Sequence, residues 1–236
     1  MLELSRQRGV KFGIVEHAGT RENVYPVILS NDQELERYIR MLDGKPVYKG
    51  IQAEWTDWMG CFSRSTLGRL DFVLTDAWTF PAKDGRRVKL WEPGVEEKGI
   101  DFSDKQAFMD RFVDWHVRII SEEPIDILAN VSWLPSPLAA DFDLYWTPAR
   151  MRMVIEAAAR YQVAIEISSS LNLPKPAFLR MAKAAGVKFT FGSNGRYPDM
   201  GRLDYCLAMA RELGLERGDM FTPRPDGQKA VQRRRY

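Results

Sequence analysis

The stretch Ala164–Asp204, AIEISSSLNLPKPAFLRMAKAAGVKFTFGSNGRYPDMGRLD, decides how this chain folds. It reads as a strand over Val163–Ser168, a helix stopped by Gly186, a second strand over Val187–Gly192 and then an abrupt polar turn. Strand, helical crossover and strand form the repeating unit of a parallel sheet. Outward from this unit, further β-rich runs lie at Lys11–Glu16, Val47–Glu54, Phe72–Ala77 and Ile125–Asn130, alternating with amphipathic helical stretches. The whole therefore reads as an α/β chain of about six βα units. Helix starts are marked as well. Ser30 with Gln33 and Ser103 with Gln106 fit capping boxes, Thr147 before Pro148 fits an N-cap with proline at the first helical position, and Gly186 and Gly214 fit helix ends. Between the third strand and the next helix, Thr79–Asp104 carries Pro81, Asp84-Gly85, Pro93 and Gly94. A hairpin about the Asp-Gly turn is predicted there, in a connection long enough to act as a lid or binding loop. The alternation fits an open doubly wound sheet and a closed α/β barrel alike. In both, chemistry is built at the carboxyl ends of the strands.

Bulk properties set the outer bounds. The 236 residues, 45% of them hydrophobic, suffice for one domain with a sizeable core, interrupted by the loop at 79–104 and ended by a basic tail at 228–236. With 34 basic and 32 acidic residues the chain has no global charge signature of a nucleic-acid or membrane partner. The tail Arg233-Arg234-Arg235 has no accompanying aromatic-basic stripe, so nucleic-acid binding is not expected. Cys61 and Cys206 make neither a disulfide framework nor a zinc motif, which points to a reducing, cytoplasmic setting. No apolar run is long enough to span a bilayer and no signal-peptide pattern opens the chain.

The strand ends carry the functional signal. They are Glu16-His17 in the run RGVKFGIVEHAG, Gly50-Ile51-Gln52-Ala53-Glu54-Trp55, Thr75-Asp76-Ala77-Trp78, Asp126-Ile127-Leu128-Ala129-Asn130-Val131 and Ser193-Asn194-Gly195-Arg196. Taken in strand order over nearly the whole chain, these framing sequences resemble the PHP (polymerase and histidinol phosphatase) metal-dependent phosphoesterases. The resemblance implies a distorted (β/α) barrel. His17 matches a metal-binding His of that family. At the other ligand positions the residues differ: Gln52 stands for a bridging Glu, Trp78 for a His, Asn130 for a His, and Asn194 and Arg196 for the Asp and His of a closing Ser-Asp-Ala-His. The family's opening strand, which carries His-x-His, has no counterpart here. The resemblance thus implies a PHP-like barrel without its first strand, with strand edges beside Lys11–Glu16 and Val187–Gly192 open to self-association.

These replacements share a chemical direction. An amide offers one neutral carbonyl oxygen where a carboxylate offers a charge and two oxygens, so it is the weaker cation ligand. Arg196 held about 5 Å from a divalent ion would cost roughly 6–7 kcal/mol at an effective dielectric of ~20. The same side chains suit an anion: Ser193, Asn194 and Arg196 precede a helix expected to begin near Asp199–Gly201, and Ser168 adds a hydroxyl. Two functions follow. The first is a protein with a degenerate metal site and no tightly bound cofactor, binding a small anionic or polar molecule through Gln52, Trp78, Asn130, Ser168, Ser193, Asn194 and Arg196 without multi-metal phosphoester hydrolysis. The second is a phosphoesterase in which His17, Glu54 and Asp76 are catalytic and His17 and Glu54 hold a divalent metal such as Zn, Mn or Fe. Glu54 qualifies because it falls on the same side of an ideal strand as Gln52. His116, on the amphipathic stretch Lys105–Ser121 among Phe108, Phe112, Trp115 and Ile119, is read as a structural residue.

Overall fold

The computed structural model describes residues 2–21, 28–194 and 201–233. Its strands are β1 (Gly13–Ala18), β2 (Tyr48–Ala53), β3 (Phe72–Thr75), β4 (Thr79–Pro81), β5 (Arg87–Lys89), β6 (Ile127–Leu128), β7 (Ala164–Ser168) and β8 (Phe189–Gly192). The helices are α1 (Leu2–Arg8), α2 (Asp32–Leu42), α3 (Arg64–Leu67), α4 (Lys105–Glu122), α5 (Ser136–Ala139), α6 (Phe142–Tyr145), α7 (Pro148–Tyr161), α8 (Pro176–Ala184), α9 (Asp204–Leu213) and α10 (Ala230–Arg233). Six of the strands form one parallel sheet in the order β1-β2-β3-β6-β7-β8. Spatial order follows chain order without reversal. A doubly wound sheet would turn back at a switch point, so this is the barrel alternative, curled into a half-barrel. β1 and β8 are its two edges. Among the described residues each edge takes an isolated parallel bridge, Ala18 with Leu29 and Phe189 with Met220.

β1 is shifted by two residues from the expected Lys11–Glu16 and so takes in His17, while the other strands of the sheet are shorter than the sequence suggests, mostly at the ends that matter. Glu54, Asp76 and Asn130 were expected inside strands; each lies beyond one. β2 stops at Ala53 and is followed by Trp55 at φ 66°, and β6 stops at Leu128 with Asn130 at φ 54°. At Trp55 and Asn130 the left-handed backbone ends the extended run that pairing needs.

Two capping boxes are also corrected by one residue. α2 is capped by Asn31, whose side chain accepts the Glu34 N–H at 3.0 Å, while the Glu34 carboxylate accepts the Ser30 N–H at 2.9 Å. A carboxylate is a stronger acceptor than the amide of Gln33, which accounts for the shift. α4 is capped by Asp104, which accepts the Ala107 N–H at 3.0 Å, while Ser103 donates through its hydroxyl to Asp101 at 2.6 Å. Thr147 caps α7 as expected. α9 begins at Asp204 behind Leu203, later than the expected Asp199–Gly201; Asp199 itself lies outside the described residues.

Strand alternation divides the core into two. Ile51, Val73, Leu128, Ile165 and Ile167 point outward and pack against Ile39, Phe112, Val154 and Phe178 of the surrounding helices. Phe72, Leu74, Ile127, Ala129 and Ala164, joined by Val15, point inward and form a small apolar floor. The floor depends on two glycines. A Cβ at Gly50 would lie 2.4 Å from the Phe72 ring and one at Gly13 2.6 Å from it, so the ring fills space that any side chain there would occupy. His116 is in the outer core, donating from Nδ1 to the Phe112 carbonyl at 2.7 Å and meeting Trp146 edge-on. Burial pushes its pKa down to about 4.

The irregular connection contains the expected hairpin, β4 against β5 about Asp84-Gly85 with Gly85 at φ 81°. It is pinned at both ends. Phe80 packs against Phe108, Phe112 and Trp115, and Arg87 donates to Thr20 Oγ1 at 2.9 Å and to Asp57 Oδ2 at 2.7 Å. The hairpin is therefore fastened to the connections that follow β1 and β2.

Candidate functional site

Above the apolar floor, the next inward position of each strand is polar. Two residues beyond Val15, Gly50, Leu74 and Ala164 stand His17, Gln52, Asp76 and Glu166. His17 and Gln52 are paired in register between β1 and β2. The half-barrel thus changes from apolar to charged along its axis, toward the carboxyl ends of its strands.

His17 donates from Nδ1 to Glu54 Oε1 at 2.6 Å, with Glu54 almost wholly buried. Asp76 accepts from the Trp78 backbone N–H at 3.0 Å and from Asn130 Nδ2 at 3.0 Å. Burial raises its pKa to about 6, the Glu54 charge adds to the rise, and the two hydrogen bonds and His17 oppose it. These contacts bring together His17, Glu54, Asp76, Trp78 and Asn130 from the ends of four strands, β1, β2, β3 and β6, Asp76 and Trp78 sharing the turn after β3. The Trp78 ring lies 5.0 Å from that of Trp133. Two polar atoms here are buried with no hydrogen-bond partner among the described residues: the Trp78 indole N–H and the Asn130 side-chain carbonyl. Each costs roughly 1–3 kcal/mol unless a further molecule meets it.

The remaining expected residues are placed differently. Ser168 is fully buried at the end of β7, its hydroxyl 3.2 Å from that of Ser170 and its backbone bonded to Leu173, so it forms part of a turn beneath the rim. Ser193 is partly buried and Asn194 is exposed at φ 41°. Arg196 lies outside the described residues.

Two residues that sequence reading passed over belong to the site. Glu166 faces inward from the middle of β7. Burial pushes its pKa up to about 7 against a hydrogen bond from the Asn130 backbone N–H, with the Asp76 charge adding to the rise. Its carboxylate lies over Gly192 on β8, where a Cβ would come 1.9 Å from Oε1. The signal was a single acidic residue inside the otherwise apolar run AIEI. Lys89, the last residue of β5, is 7% exposed, with a buried ammonium nitrogen in the field of Glu54, Glu92 and Asp76. It comes from the hairpin, which no strand-end reading would include. Among the described residues, no group of three or more His, Cys, Asp or Glu side chains is disposed to hold a metal ion. No described helix is long and apolar enough to cross a membrane.

The fold and the position of this polar layer define a class, an α/β half-barrel with its candidate site at the carboxyl ends of parallel strands. Among solved structures, the histidinol phosphate phosphatase of Lactococcus lactis subsp. lactis Il1403, complexed with zinc, L-histidinol and phosphate, shares this fold with a TM-score of 0.58. The match covers 98% of this chain and 90% of that one at 12% identity, and at that identity it speaks for the fold alone. No protein-family model matches the chain, and no curated protein does.

Proposed function

We propose that the strand-end pocket binds a small anionic or polar molecule and does not support multi-metal phosphoester hydrolysis. The observation that carries this reading is a donor and an acceptor, the Trp78 indole N–H and the Asn130 side-chain carbonyl, buried without a partner among the described residues and carried by two residues that hydrogen-bond Asp76. A polar ligand answers both; a bare cation answers only the carbonyl. The donor set supports the same conclusion. Gln52 and Asn130 present neutral amides, His17 spends Nδ1 on Glu54, and the buried Lys89 ammonium adds positive charge to the field of Glu54 and Asp76. These described residues do not fit a multi-metal centre. The structural neighbour is complexed with L-histidinol and phosphate, which supports a ligand of that polarity in a site so placed. Thermal-shift titration with phosphate and a panel of small phosphorylated and carboxylated compounds tests the reading. At least one should stabilise the protein, and Trp78→Phe, which removes only the indole N–H and part of the ring, should weaken the response by a factor of about 3–10, the worth of one hydrogen bond. Equal responses from both proteins, or none from either, would overturn it.

A second reading has its own observation. The His17–Glu54 pair, with Asp76 holding its proton up to about pH 6 nearby, is an acid–base arrangement, and the neighbour is a phosphatase. Elemental analysis separates the two. Two or more metals per chain, lost in His17→Ala, would establish a phosphoesterase with His17, Glu54 and Asp76 in the reacting roles.

A further inference from the structure

We propose that the turn after β6, residues 130–133, is the recognition element of this pocket, and that its ligand is a sugar or polyol held by its hydroxyl groups. The inference narrows the reading above to its polar, hydroxyl-bearing branch and rests on it.

The Trp133 N–H closes the turn by donating to the Asn130 backbone carbonyl at 3.3 Å. Two residues of the turn, Asn130 at φ 54° and Ser132 at φ 68°, have the left-handed backbone that favours glycine. Glycine at position 132 would relieve that strain and bury no hydroxyl. Ser132 instead is fully buried, and among the described residues its Oγ has no hydrogen-bond partner. The same holds for the side-chain carbonyl of Asn130, a residue 7% exposed. That atom is an acceptor by necessity: Nδ2 donates to Asp76 Oδ2 at 3.0 Å, and the reverse orientation would set oxygen against a carboxylate. The third atom of this kind, the Trp78 indole N–H, belongs to the ring that packs on Trp133, the last residue of the turn, with centroids 5.0 Å apart. Both rings are partly exposed, while Val131 between the two left-handed residues is fully buried in the outer core and anchors the turn.

These three atoms make different demands. The indole needs an acceptor, the amide carbonyl needs a donor, and the serine hydroxyl takes either. Carboxylate and fully ionised phosphate oxygens only accept, so such an anion leaves the Asn130 carbonyl unmet and meets Asp76 as a like charge. An ammonium only donates and leaves the indole unmet. A hydroxyl donates and accepts through one atom, and vicinal hydroxyls suit the close spacing of residues on one turn. The C–H faces of a sugar or polyol also suit the two partly exposed rings, as apolar area beside a few fixed polar groups.

The test is isothermal calorimetry of wild type and Ser132→Gly with D-glucose, D-ribose, myo-inositol and glycerol, their phosphate monoesters, inorganic phosphate, citrate and acetamide. At least one uncharged polyol should bind at about one per chain. Ser132→Gly should weaken that binding by a factor of about 3–10, the worth of one hydrogen bond, while melting no lower than wild type when ligand-free. Binding confined to phosphate, citrate or phosphate monoesters whose parent alcohols do not bind overturns the hydroxyl assignment and leaves the broader reading standing. Binding confined to acetamide does the same, since an amide also carries a donor and an acceptor. Silence across the panel overturns both. Equal affinity in wild type and Ser132→Gly overturns the role of the turn, and so does a ligand-free Ser132→Gly that is unfolded or melts well below wild type, because the hydroxyl would then be bonded within the fold.

Discussion

Glu166 and Gly192 show how closely single residues are matched in this pocket, since the carboxylate of one occupies the place a Cβ on the other would need. Burial has a pH signature. The ordinary pKa of Glu166 is 4.5 and the fold raises it to about 7, so over that interval the folded chain keeps a proton the unfolded chain has released. Its contribution to stability is therefore full below pH 4.5 and is lost as pH rises through about 7. Asp76 acts in the same direction between 3.8 and about 6. His116 acts in the opposite one: its pKa is depressed to about 4, and as pH falls from 6.5 toward that value the unfolded chain gains a proton the folded chain refuses. Glu166→Gln isolates the first term. We expect the variant to be more stable than wild type by about 1–3 kcal/mol at pH 8, the advantage vanishing by about pH 4.5, as read by urea denaturation at both pH values. A difference that does not change with pH would mean that the carboxyl group is hydrated in the fold.

At the scale of elements, the one-residue shift of the two helix starts is directly measurable. Asp104→Ala removes the cap of α4 and should cost about 1 kcal/mol, while Ser103→Ala, which removes only a hydroxyl donated to Asp101, should cost less; the same contrast applies to Asn31→Ala and Ser30→Ala at α2. Reversal of either order in denaturation midpoints would restore the expected boxes. The two glycines of β1 and β2 concern the sheet as a unit. Gly50→Ala drives a methyl into the Phe72 ring and should destabilise by about 1–3 kcal/mol, and pairing it with Phe72→Leu should recover part of the loss. A Gly50→Ala variant as stable as wild type in the same measurement would show that the floor can yield.

At the scale of the molecule, the decisive feature is a curled parallel sheet in which, among the described residues, β1 and β8 do not pair with each other. Each edge is relieved by an isolated bridge, at Ala18 and at Phe189. Strand edges with free N–H and C=O groups recruit other strands. Concentration-dependent self-association is expected in sedimentation experiments, and a monomer at every concentration up to the millimolar range would show that the edges are sufficiently covered.

Periodicity along the chain already placed the strands and helices to within a few residues, because burial on one face at a spacing of two or about 3.6 is a local property of the sequence. It also placed His17, Glu54, Asp76 and Asn130 at strand ends, since polar residues that end an apolar run are visible in one dimension. What it left open, barrel or doubly wound sheet, depends on strand order, and neighbouring strands are chosen by crossovers whose direction no local pattern records. Glu166 and Lys89 were missed for the same reason. A lone carboxylate in β7 and a lysine in a hairpin look unremarkable alone, and only the tertiary structure sets one over Gly192 and the other in the field of Glu54 and Asp76. The charges that decide what this pocket accepts interact across space, through strand curvature and a pinned hairpin, rather than along the chain.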